Sequence, residues 1–360
     1  MGTDRAGRFG VVVATACLAV LVVVDVAVQR DVIVDSLFSL APLVACAVCS
    51  VEVTAGFGLA ALALTVWSGW FNHAWGHPQQ AVRLIDVLAI SAVAVAVAVV
   101  RIRRERRFAR VSRIAEVAQR AVLPVIPPSI EGLTASTRYL SASEDSVVGG
   151  DLYDCSLTEG YTRFIVGDVR GKGIGAVEQA ARVIRAFRQA AATKETLPEV
   201  VEDMDAYLRA FFDEEEFVTA VIIDVTTPDR LVVINCGHQP PVLRRAAGQV
   251  ELIDVTPGVP LGLGHDAPAT SHSWQPGDRL LLYTDGLTEA RNGAGDFFPL
   301  LEHADVLGLS TIDEALDALL DEVRRFVPGG GLGDDLAAVL LERAVPSDAD
   351  PQSYSLVAKG

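Results

Sequence analysis

The segment Gly277-Asp-Arg-Leu-Leu-Leu-Tyr-Thr-Asp285-Gly joins a leucine-rich run to an aspartate that is followed by glycine. A short apolar run between glycine and aspartate predicts a buried strand, residues 279–283, that ends close to Asp285. A carboxylate at the end of a strand sits on rigid backbone and points out of the sheet toward its rim. The glycine after it allows a second backbone or a ligand to come close. This segment therefore predicts a sheet with an acidic rim.

Aspartate beside glycine recurs at three other predicted strand ends. Asp151 follows Val148-Gly-Gly, Asp168 ends the run Phe164-Ile-Val-Gly167, and Asp334 and Asp335 follow Gly329-Gly-Gly-Leu-Gly333. A single Asp–Gly pair is usually an ordinary turn. Four such pairs, each flanked by a hydrophobic strand, are much harder to explain in that way. Because Mg²⁺ and Mn²⁺ prefer carboxylate oxygens as protein ligands, the sequence predicts a divalent-metal site at one rim.

Further strands and helices surround these acids. Apolar or β-branched runs predict strands at residues 163–169, 217–225, 231–235, 279–283 and 336–341. Helical spacing of apolar residues predicts helices at 174–192, 197–212 and 312–326. The strands cluster in consecutive groups with helices between them. This order favours an α+β fold over a doubly wound parallel sheet.

The segment Gly167-Asp-Val-Arg-Gly-Lys-Gly173 has a competing interpretation as a nucleotide-binding loop. A P-loop has four residues between its first glycine and the Gly-Lys pair, and then Ser or Thr. This segment has three, and then glycine. We therefore do not expect it to bind nucleotide, although Lys172 can face an anion at the start of the following helix.

Charge divides the chain into two regions. The 360 residues include 30 Lys and Arg and 46 Asp and Glu, a net charge of -16. Residues 1–107 include 9 basic and 7 acidic residues, whereas residues 108–360 include 21 basic and 39 acidic residues. An acidic body has no field that attracts DNA or RNA, so we expect no nucleic-acid partner. The five cysteines are scattered or lie in apolar runs and require no disulfide.

Apolar runs predict a transmembrane region of about four helices within residues 1–100. The runs are 9–28, 37–49, 55–70 and 84–100. A crossing helix needs about 20 apolar residues, so the second run is short, and two or three crossings stay open. Arginines at 5 and 8 and at 101–107 flank the outermost runs, and the positive-inside rule places both ends in the cytoplasm, which demands an even number. We expect a multi-pass protein of the plasma or inner membrane, in contact with lipid, with a cytoplasmic body.

Residues 101–128 predict a basic, amphipathic linker helix. An apolar seam with spacing 3-4-3-4 consists of Phe108, Val111, Ala115, Ala118 and Val122, and Pro124 ends the helix. Two heptads are short for a coiled coil, so a homodimer through this helix and packing against the next domain both stay open. The body then occupies 129–344, and the tail 345–360 is expected to be disordered. No ionisable residue lies in the middle of a span, which favours an anchor over a transporter.

Six motifs occur in order in the body. They are Val148-Gly-Gly-Asp151-Leu-Tyr-Asp154, Val166-Gly-Asp168-Val-Arg-Gly-Lys-Gly173, Asn235-Cys-Gly-His238-Gln-Pro-Pro241, Pro260-Leu-Gly262, Gly277 to Arg291, and Gly333-Asp334-Asp335. Together they resemble the metal-dependent Ser/Thr protein phosphatases of type 2C, in the bacterial SpoIIE-like and RsbU-like branch, from about Val117 to Leu341. The resemblance implies an αββα sandwich: two antiparallel sheets flanked by helices, with a metal cleft at one edge.

The resemblance also implies a role for each acid. Asp168 would bridge two Mn²⁺ or Mg²⁺ ions, Asp285 and Asp334 would complete one ion, and Asp151 with the backbone carbonyl of Val169 would serve the other. Asp335 is the less expected ligand, since the matching motif begins with its ligand. Two such ions activate a water for attack on phosphorus. Relatives that regulate genes act on phosphoserine or phosphothreonine of small anti-sigma-factor antagonists, so we expect a phosphoprotein partner of that kind.

Two alternatives stay open beside this interpretation. The arginine that holds the phosphate in eukaryotic relatives has no clear counterpart, which leaves Lys172 or Arg170 for that role. His238 is expected to shape a turn rather than act as a general acid. A non-catalytic regulator that kept the fold is the competing function, but retention of all four acids favours the enzyme.

Overall fold

The chain divides into two compact units, Met1–Arg110 and Val111–Gly360. The structure, a computed structural model, describes residues 2–28, 35–71, 78–130, 132–141, 149–213, 215–264 and 267–345. The predicted disordered tail, apart from its first residue, lies outside the described residues. The boundary between the units falls within the predicted linker, 101–128.

The first unit consists of helices. They are α1 (Gly2–Val28), α2 (Leu40–Val48), which follows a 3₁₀ helix at Asp35–Ser39, α3 (Val51–Phe71) and α4 (Pro78–Val122), which continues into the second unit. Three helical stretches in the described residues are long and apolar enough to cross a membrane: Gly7–Ala27, Val51–Phe71 and Pro78–Gln119. The remaining predicted span corresponds to the shorter apolar helix Ser36–Val48. Its 13 residues rise about 20 Å at 1.5 Å per residue, less than the hydrocarbon thickness of about 30 Å.

Hydrogen bonds define two opposite ends of this unit. At one end the Arg101 side chain donates to the carbonyl oxygen of Cys49 (2.5 Å), and the Cys49 Sγ lies 3.8 Å from the carbonyl oxygen of Gly7. The contacts at the other end are Ser68 Oγ to Asp25 Oδ2 (2.7 Å) and Gln80 Nε2 to the carbonyl oxygen of Thr65 (3.0 Å). The four helices therefore alternate in direction between the same two ends.

The second unit is built on two antiparallel sheets. Its strands are β1 (Ser129–Ile130), β2 (Leu133–Leu140), β3 (Asp151–Thr158), β4 (Tyr161–Val169), β5 (Val218–Asp224), β6 (Arg230–Cys236), β7 (Val242–Arg244), β8 (Val250–Leu252), β9 (Thr270–Ser273), β10 (Arg279–Tyr283) and β11 (Leu336–Arg343). In the described residues the sheet orders are β1-β2-β11-β10-β7-β8 and β3-β4-β5-β6-β9. All five strands predicted from apolar runs are confirmed, as β4, β5, β6, β10 and β11.

Helices cover the outer face of each sheet. They are α5 (Ile174–Thr193), α6 (Leu197–Arg209), α7 (Leu300–His303) and α8 (Ile312–Phe326). One core joins α5 and α6 to the five-stranded sheet, through residues such as Phe187 and Ile222. A second core, containing Phe164 and Leu282, lies between the sheets. A third joins α8 to the six-stranded sheet. This sequence of layers confirms the predicted αββα sandwich.

Helix α4 ends at Val122, shortly before Pro124, as predicted. In the second unit Ala115 of α4 is buried against Val177 of α5, and Ala118 and Val122 pack beside them. The C-terminal half of the predicted apolar seam therefore packs within the unit, which is one of the two alternatives that the sequence left open.

Candidate metal centre

Asp151 and Asp168 are direct cross-strand partners at the end of the β3–β4 ladder. Asp151 is 4% exposed, and the Thr284 hydroxyl donates to its Oδ2 atom (2.6 Å). Burial, and then the charge of Asp168, raise the pKa of Asp151 well above its ordinary value. Burial, and then the charge of Asp285, raise the pKa of Asp168 to about 7. The two carboxyl groups therefore share one poorly solvated site at the rim.

The other two acids arrive from the six-stranded sheet. Asp285 follows β10 and Asp334 precedes β11, and the Thr284 Oγ1 atom accepts a hydrogen bond from the Ala337 N–H (2.8 Å), which ties the two strands together there. Burial raises the pKa of Asp285, and the charges of Glu289 and then Asp334 add to the effect. The negative charge of Asp334 also acts on Asp168. Four chain segments thus bring their acids within electrostatic reach of one another at the rim.

Two glycines allow the close backbone approaches at this rim. A Cβ atom on Gly150 would clash with the carbonyl oxygen of Val169, the predicted backbone ligand. A Cβ atom on Gly286 would clash with the carbonyl oxygen of Asp335. Both positions therefore require glycine for packing rather than for an unusual backbone angle, which explains the glycine beside Asp151 and the glycine beside Asp285.

Lys172 is the cation that contacts the rim most directly. Its Nζ atom lies 2.9 Å from Oδ1 and 3.0 Å from Oδ2 of Asp334. The two side chains are 46% and 45% exposed, so they face the solvent side of the site. The positive charge of the same ammonium group lowers the pKa values of Asp168 and Asp285. It thus offsets part of the rise in both pKa values that burial causes.

The donor set fits a hard divalent cation. It consists of the four carboxylates Asp151, Asp168, Asp285 and Asp334 together with the Val169 carbonyl group, all oxygen ligands of the kind that Mg²⁺ and Mn²⁺ bind. Among the residues that the structure describes, no three His, Cys, Asp or Glu side chains already form a compact metal-binding group. Lys172 occupies both oxygens of Asp334, so a divalent cation at this carboxylate would compete with the ammonium group.

The hydrogen-bonded network behind the rim has no signal in the sequence patterns, although Tyr139 and Gln119 connect Asp335 to the backbone beside Asp151. Asp335 accepts hydrogen bonds at Oδ2 from the Tyr139 hydroxyl (2.5 Å) and from the Gly149 N–H (2.8 Å). Gln119 of α4 donates to the Tyr139 oxygen (2.6 Å) and to the carbonyl oxygen of Gly149 (3.1 Å). Thr284, which orients Asp151, was also missed, although its place directly before Asp285 could have suggested it.

The other candidate residues have structural partners. His238 lies between Thr219 Oγ1 (2.9 Å from Nδ1) and the carbonyl oxygen of Tyr283 (3.1 Å from Nε2). Burial lowers the pKa of His238 to about 4, so this ring is neutral. The Asn235 side chain bonds both backbone groups of His238, which confirms that His238 shapes a turn. Arg170 donates to the carbonyl oxygen of Glu215.

Solved structures define the class to which this sandwich belongs. The type 2C phosphatase domain of SiaA from Pseudomonas aeruginosa superposes with a TM-score of 0.56 at 19% identity, over 69% of this chain and 100% of that one. The structure of the RsbU and RsbW domains of a Mycobacterium tuberculosis protein has a TM-score of 0.51 at 28% identity, over 62% of each chain. The second unit therefore has the type 2C phosphatase fold.

The family itself follows from the sequence of this unit. The family described as stage II sporulation protein E (SpoIIE) matches residues 158–344, just over half of the chain, so the chain belongs to the SpoIIE family. The match includes Asp168, Asp285 and Asp334 and begins after Asp151.

Curated relatives are longer than the matched region. The phosphoserine phosphatase RsbP of Bacillus subtilis is 25% identical over 212 residues, which cover 57% of this chain and 51% of RsbP. Protein IcfG of Synechocystis is 26% identical over 234 residues, which cover 54% of this chain and 36% of IcfG. The chain thus spans about half or less of the length of these relatives.

Proposed function

We propose that the protein is a membrane-anchored, metal-dependent phosphatase that hydrolyses phosphoserine or phosphothreonine in a regulatory protein. The observation that carries this proposal is the convergence of Asp151, Asp168, Asp285 and Asp334 from four chain segments at one rim of a type 2C sandwich. Membership of the SpoIIE family and the likeness to a relative named a phosphoserine phosphatase support it.

The residues of the rim have different proposed roles. Asp168 pairs with Asp151 across the β3–β4 ladder and is affected by the charges of Asp285 and Asp334, which supports its proposed role as the acid that would serve two ions. The Thr284 hydroxyl fixes the Asp151 carboxylate. Bound Mn²⁺ or Mg²⁺ ions supply an activated water and neutralise the phosphoryl charge. Lys172, half exposed beside Asp334, offers a further cation to a phosphoryl oxygen.

The proposed substrate is a phosphorylated regulatory protein, such as an anti-sigma-factor antagonist. The likeness to RsbP and to a mycobacterial protein that carries RsbU and RsbW domains supports this class of partner. The discriminating measurement is a phosphoproteome of a deletion strain. A regulatory protein whose phosphoserine or phosphothreonine accumulates only in that strain, and declines when purified protein is added, meets the expectation.

We further propose that the first unit crosses the plasma membrane four times. Large apolar side chains that a water-soluble unit would bury are exposed there, such as Val12 (64%), Leu59 (69%) and Ile85 (63%). The alternation of four helices between two ends, with the arginine-rich segment at the same end as Gly7, supports an even count. The short helix Ser36–Val48 would require local thinning of the bilayer. Labelling of single cysteines placed at positions 32 and 74 from outside intact cells tests this topology.

A homodimer through the linker helix, one of the two alternatives that the sequence left open, remains part of the proposal. Ile114 (55% exposed) and Val117 (63% exposed) lie on the part of α4 that belongs to the second unit and are available to a second copy. Analytical sedimentation of the detergent-solubilised wild-type chain and of Ile114→Asp measures the oligomeric state of each. A monomeric wild-type chain removes the dimer from the proposal and leaves the catalytic part intact.

The catalytic proposal is tested on the full chain in detergent. Release of phosphate from p-nitrophenyl phosphate and from a phosphoserine protein should require Mn²⁺ or Mg²⁺ and should stop when a chelator is added. Activity that persists in the chelator contradicts the proposal. Metal binding without any phosphatase activity favours the competing function, a non-catalytic regulator.

A further inference from the structure

A buried polar cluster lies directly behind the acidic rim. Asp335 is 2% exposed, and its Oδ2 atom accepts hydrogen bonds from the Tyr139 hydroxyl (2.5 Å) and the Gly149 N–H (2.8 Å). A buried carboxylate is costly unless it is hydrogen-bonded, and these two donors compensate part of that cost. One oxygen of Asp335 is thus committed to contacts inside the protein.

The direction of the hydrogen bond from Tyr139 follows from its other partner. The Nε2 atom of Gln119 donates to the Tyr139 oxygen (2.6 Å). Because an amide nitrogen is only a donor, the Tyr139 proton is left to point at Asp335. Burial and the charge of Asp335 raise the pKa of Tyr139 far above its ordinary value, so the hydroxyl keeps that proton.

The cluster connects two of the four chain segments that carry predicted ligands, those of Asp151 and Asp334. Gly149 lies two residues before Asp151, and Asp335 directly follows Asp334. A Cβ atom on Gly149 would lie 3.0 Å from the Asp335 Oδ2 atom, so the fit between these segments is tight. A displacement of Asp335 would therefore act on Gly149 and on the start of β3, where Asp151 lies.

We propose that Asp335 and Tyr139 are positioning residues, which hold the Asp151 and Asp334 segments at the spacing that the divalent ions need. This inference rests on the proposed metal-dependent function. It assigns Asp335 a role outside the ligand set, although it adjoins Asp334 in the sequence. Partners that orient metal ligands without touching the metal typically contribute 10- to 100-fold in affinity.

The first experiment compares two tyrosine variants of the full chain in detergent. Tyr139→Phe removes only the hydroxyl, and Mn²⁺ affinity, read from the EPR signal of free Mn²⁺, should fall by about 10- to 100-fold. Tyr207→Phe is the control, because it removes the same hydroxyl from a partly buried tyrosine on α6, a helix that carries none of the proposed ligands. Its Mn²⁺ affinity should stay within about twofold of the wild type. Equal affinities for the two variants overturn the inference.

The second experiment separates a positioning residue from a ligand. Asp335→Asn keeps an oxygen that can accept from Tyr139 and Gly149, so its Mn²⁺ affinity should stay within about fivefold of the wild type, whereas Asp335→Ala should lose at least about tenfold. If Asp335→Asn binds Mn²⁺ as poorly as Asp334→Asn, Asp335 is a ligand and the inference is wrong. If thermal unfolding shows that Tyr139→Phe does not fold, the comparison of the Asp335 variants alone tests the inference.

The Mn²⁺-binding measurements also distinguish failure of the proposed function from failure of this inference. A wild-type chain that binds no Mn²⁺ overturns the metal-dependent function and this inference with it. A wild-type chain that binds Mn²⁺, beside a Tyr139→Phe variant that binds it equally well, overturns this inference alone.

Discussion

The Lys172 ammonium contacts both carboxylate oxygens of Asp334, at 2.9 and 3.0 Å, although the two residues are 162 positions apart. Lys172 lies in the loop between β4 and α5, and Asp334 lies two residues before the start of β11. The ion pair thus joins the rims of the two sheets. It also places a fixed positive charge where the proposed function requires a divalent cation and a phosphoryl group.

Replacing Lys172 by methionine should strengthen Mn²⁺ binding. The lysine ammonium and a divalent cation compete for the Asp334 carboxylate, and an exposed ion pair of this kind contributes up to about 1 kcal/mol, or about fivefold in affinity. Lys172→Arg, which keeps the charge, is the matched control and should bind Mn²⁺ like the wild type. Calorimetric titration measures both. Weaker Mn²⁺ binding by Lys172→Met would show that the lysine supports the ion rather than competes with it.

Replacing Asp168 by asparagine should abolish the metal-dependent activity. Asp168 pairs with Asp151 and is affected by the charges of Asp285 and Asp334, so its loss should cost more than the roughly 100-fold that removal of an outer partner costs. The control is Asp229→Asn, a change with the same chemistry at an exposed aspartate whose φ of 62° asparagine also tolerates. Steady-state hydrolysis at saturating Mn²⁺, with circular dichroism to confirm folding, measures the effect. An Asp168→Asn variant that keeps a tenth of the wild-type rate contradicts the assignment.

The sequence predicted the parts of the site that are encoded locally. The runs before Asp168 and Asp285 are continuous and apolar because β4 and β10 are buried on both faces, and such strands stand out from their surroundings. By contrast, β2 (Leu-Thr-Ala-Ser-Thr-Arg-Tyr-Leu) is rich in polar residues, so no apolar run marks it. Strands β7, β8 and β9 have only three or four residues each. Their strand character comes from the neighbours with which they pair.

The contacts behind the rim could not be predicted, for a related reason. Tyr139 and Asp335 are 196 positions apart, and neither belongs to a periodic pattern that indicates its partner. Only the register of β2 on β11, which pairs Tyr139 with Ala337, brings the hydroxyl to Asp335. The choice of Asp334 over Asp335 as ligand came from the family resemblance, and it remains a prediction.

The acids should make the stability of the chelated protein depend on pH. The pKa of Asp168 in the folded state is about 7, above its ordinary value of 3.8, so the folded state holds an extra proton between these values. This contribution is fully present below about pH 4 and is lost as the pH rises through 7. One extra proton corresponds to about 1.4 kcal/mol per pH unit.

The measurement is the unfolding temperature in chelator between pH 5 and pH 8. It should fall with rising pH in the wild type and fall less in Asp168→Asn, which cannot lose that proton. Saturating Mn²⁺ should reverse the trend, because cations bind the deprotonated acids. Parallel curves for the wild type and Asp168→Asn in chelator would exclude this coupling.

Gly150 provides a test of the backbone ligand. A Cβ atom at this position would clash with the carbonyl oxygen of Val169, and relief of that clash must move either the end of β4 or the start of β3. Gly150→Ala should therefore lower Mn²⁺ affinity by at least about tenfold, as loss of ligand orientation does, and should destabilise the fold by about 1–3 kcal/mol through overpacking.

The control for Gly150→Ala is Gly175→Ala in the first turn of α5. No atom lies within 4 Å of the Cβ position there, and alanine in a helix is more stable than glycine by about 0.5–1 kcal/mol. Gly175→Ala should thus unfold at the wild-type temperature or slightly above it and bind Mn²⁺ normally. If Gly150→Ala also binds Mn²⁺ normally, the position of the Val169 carbonyl does not matter to the ion, and Asp151 must serve it without a backbone ligand from β4.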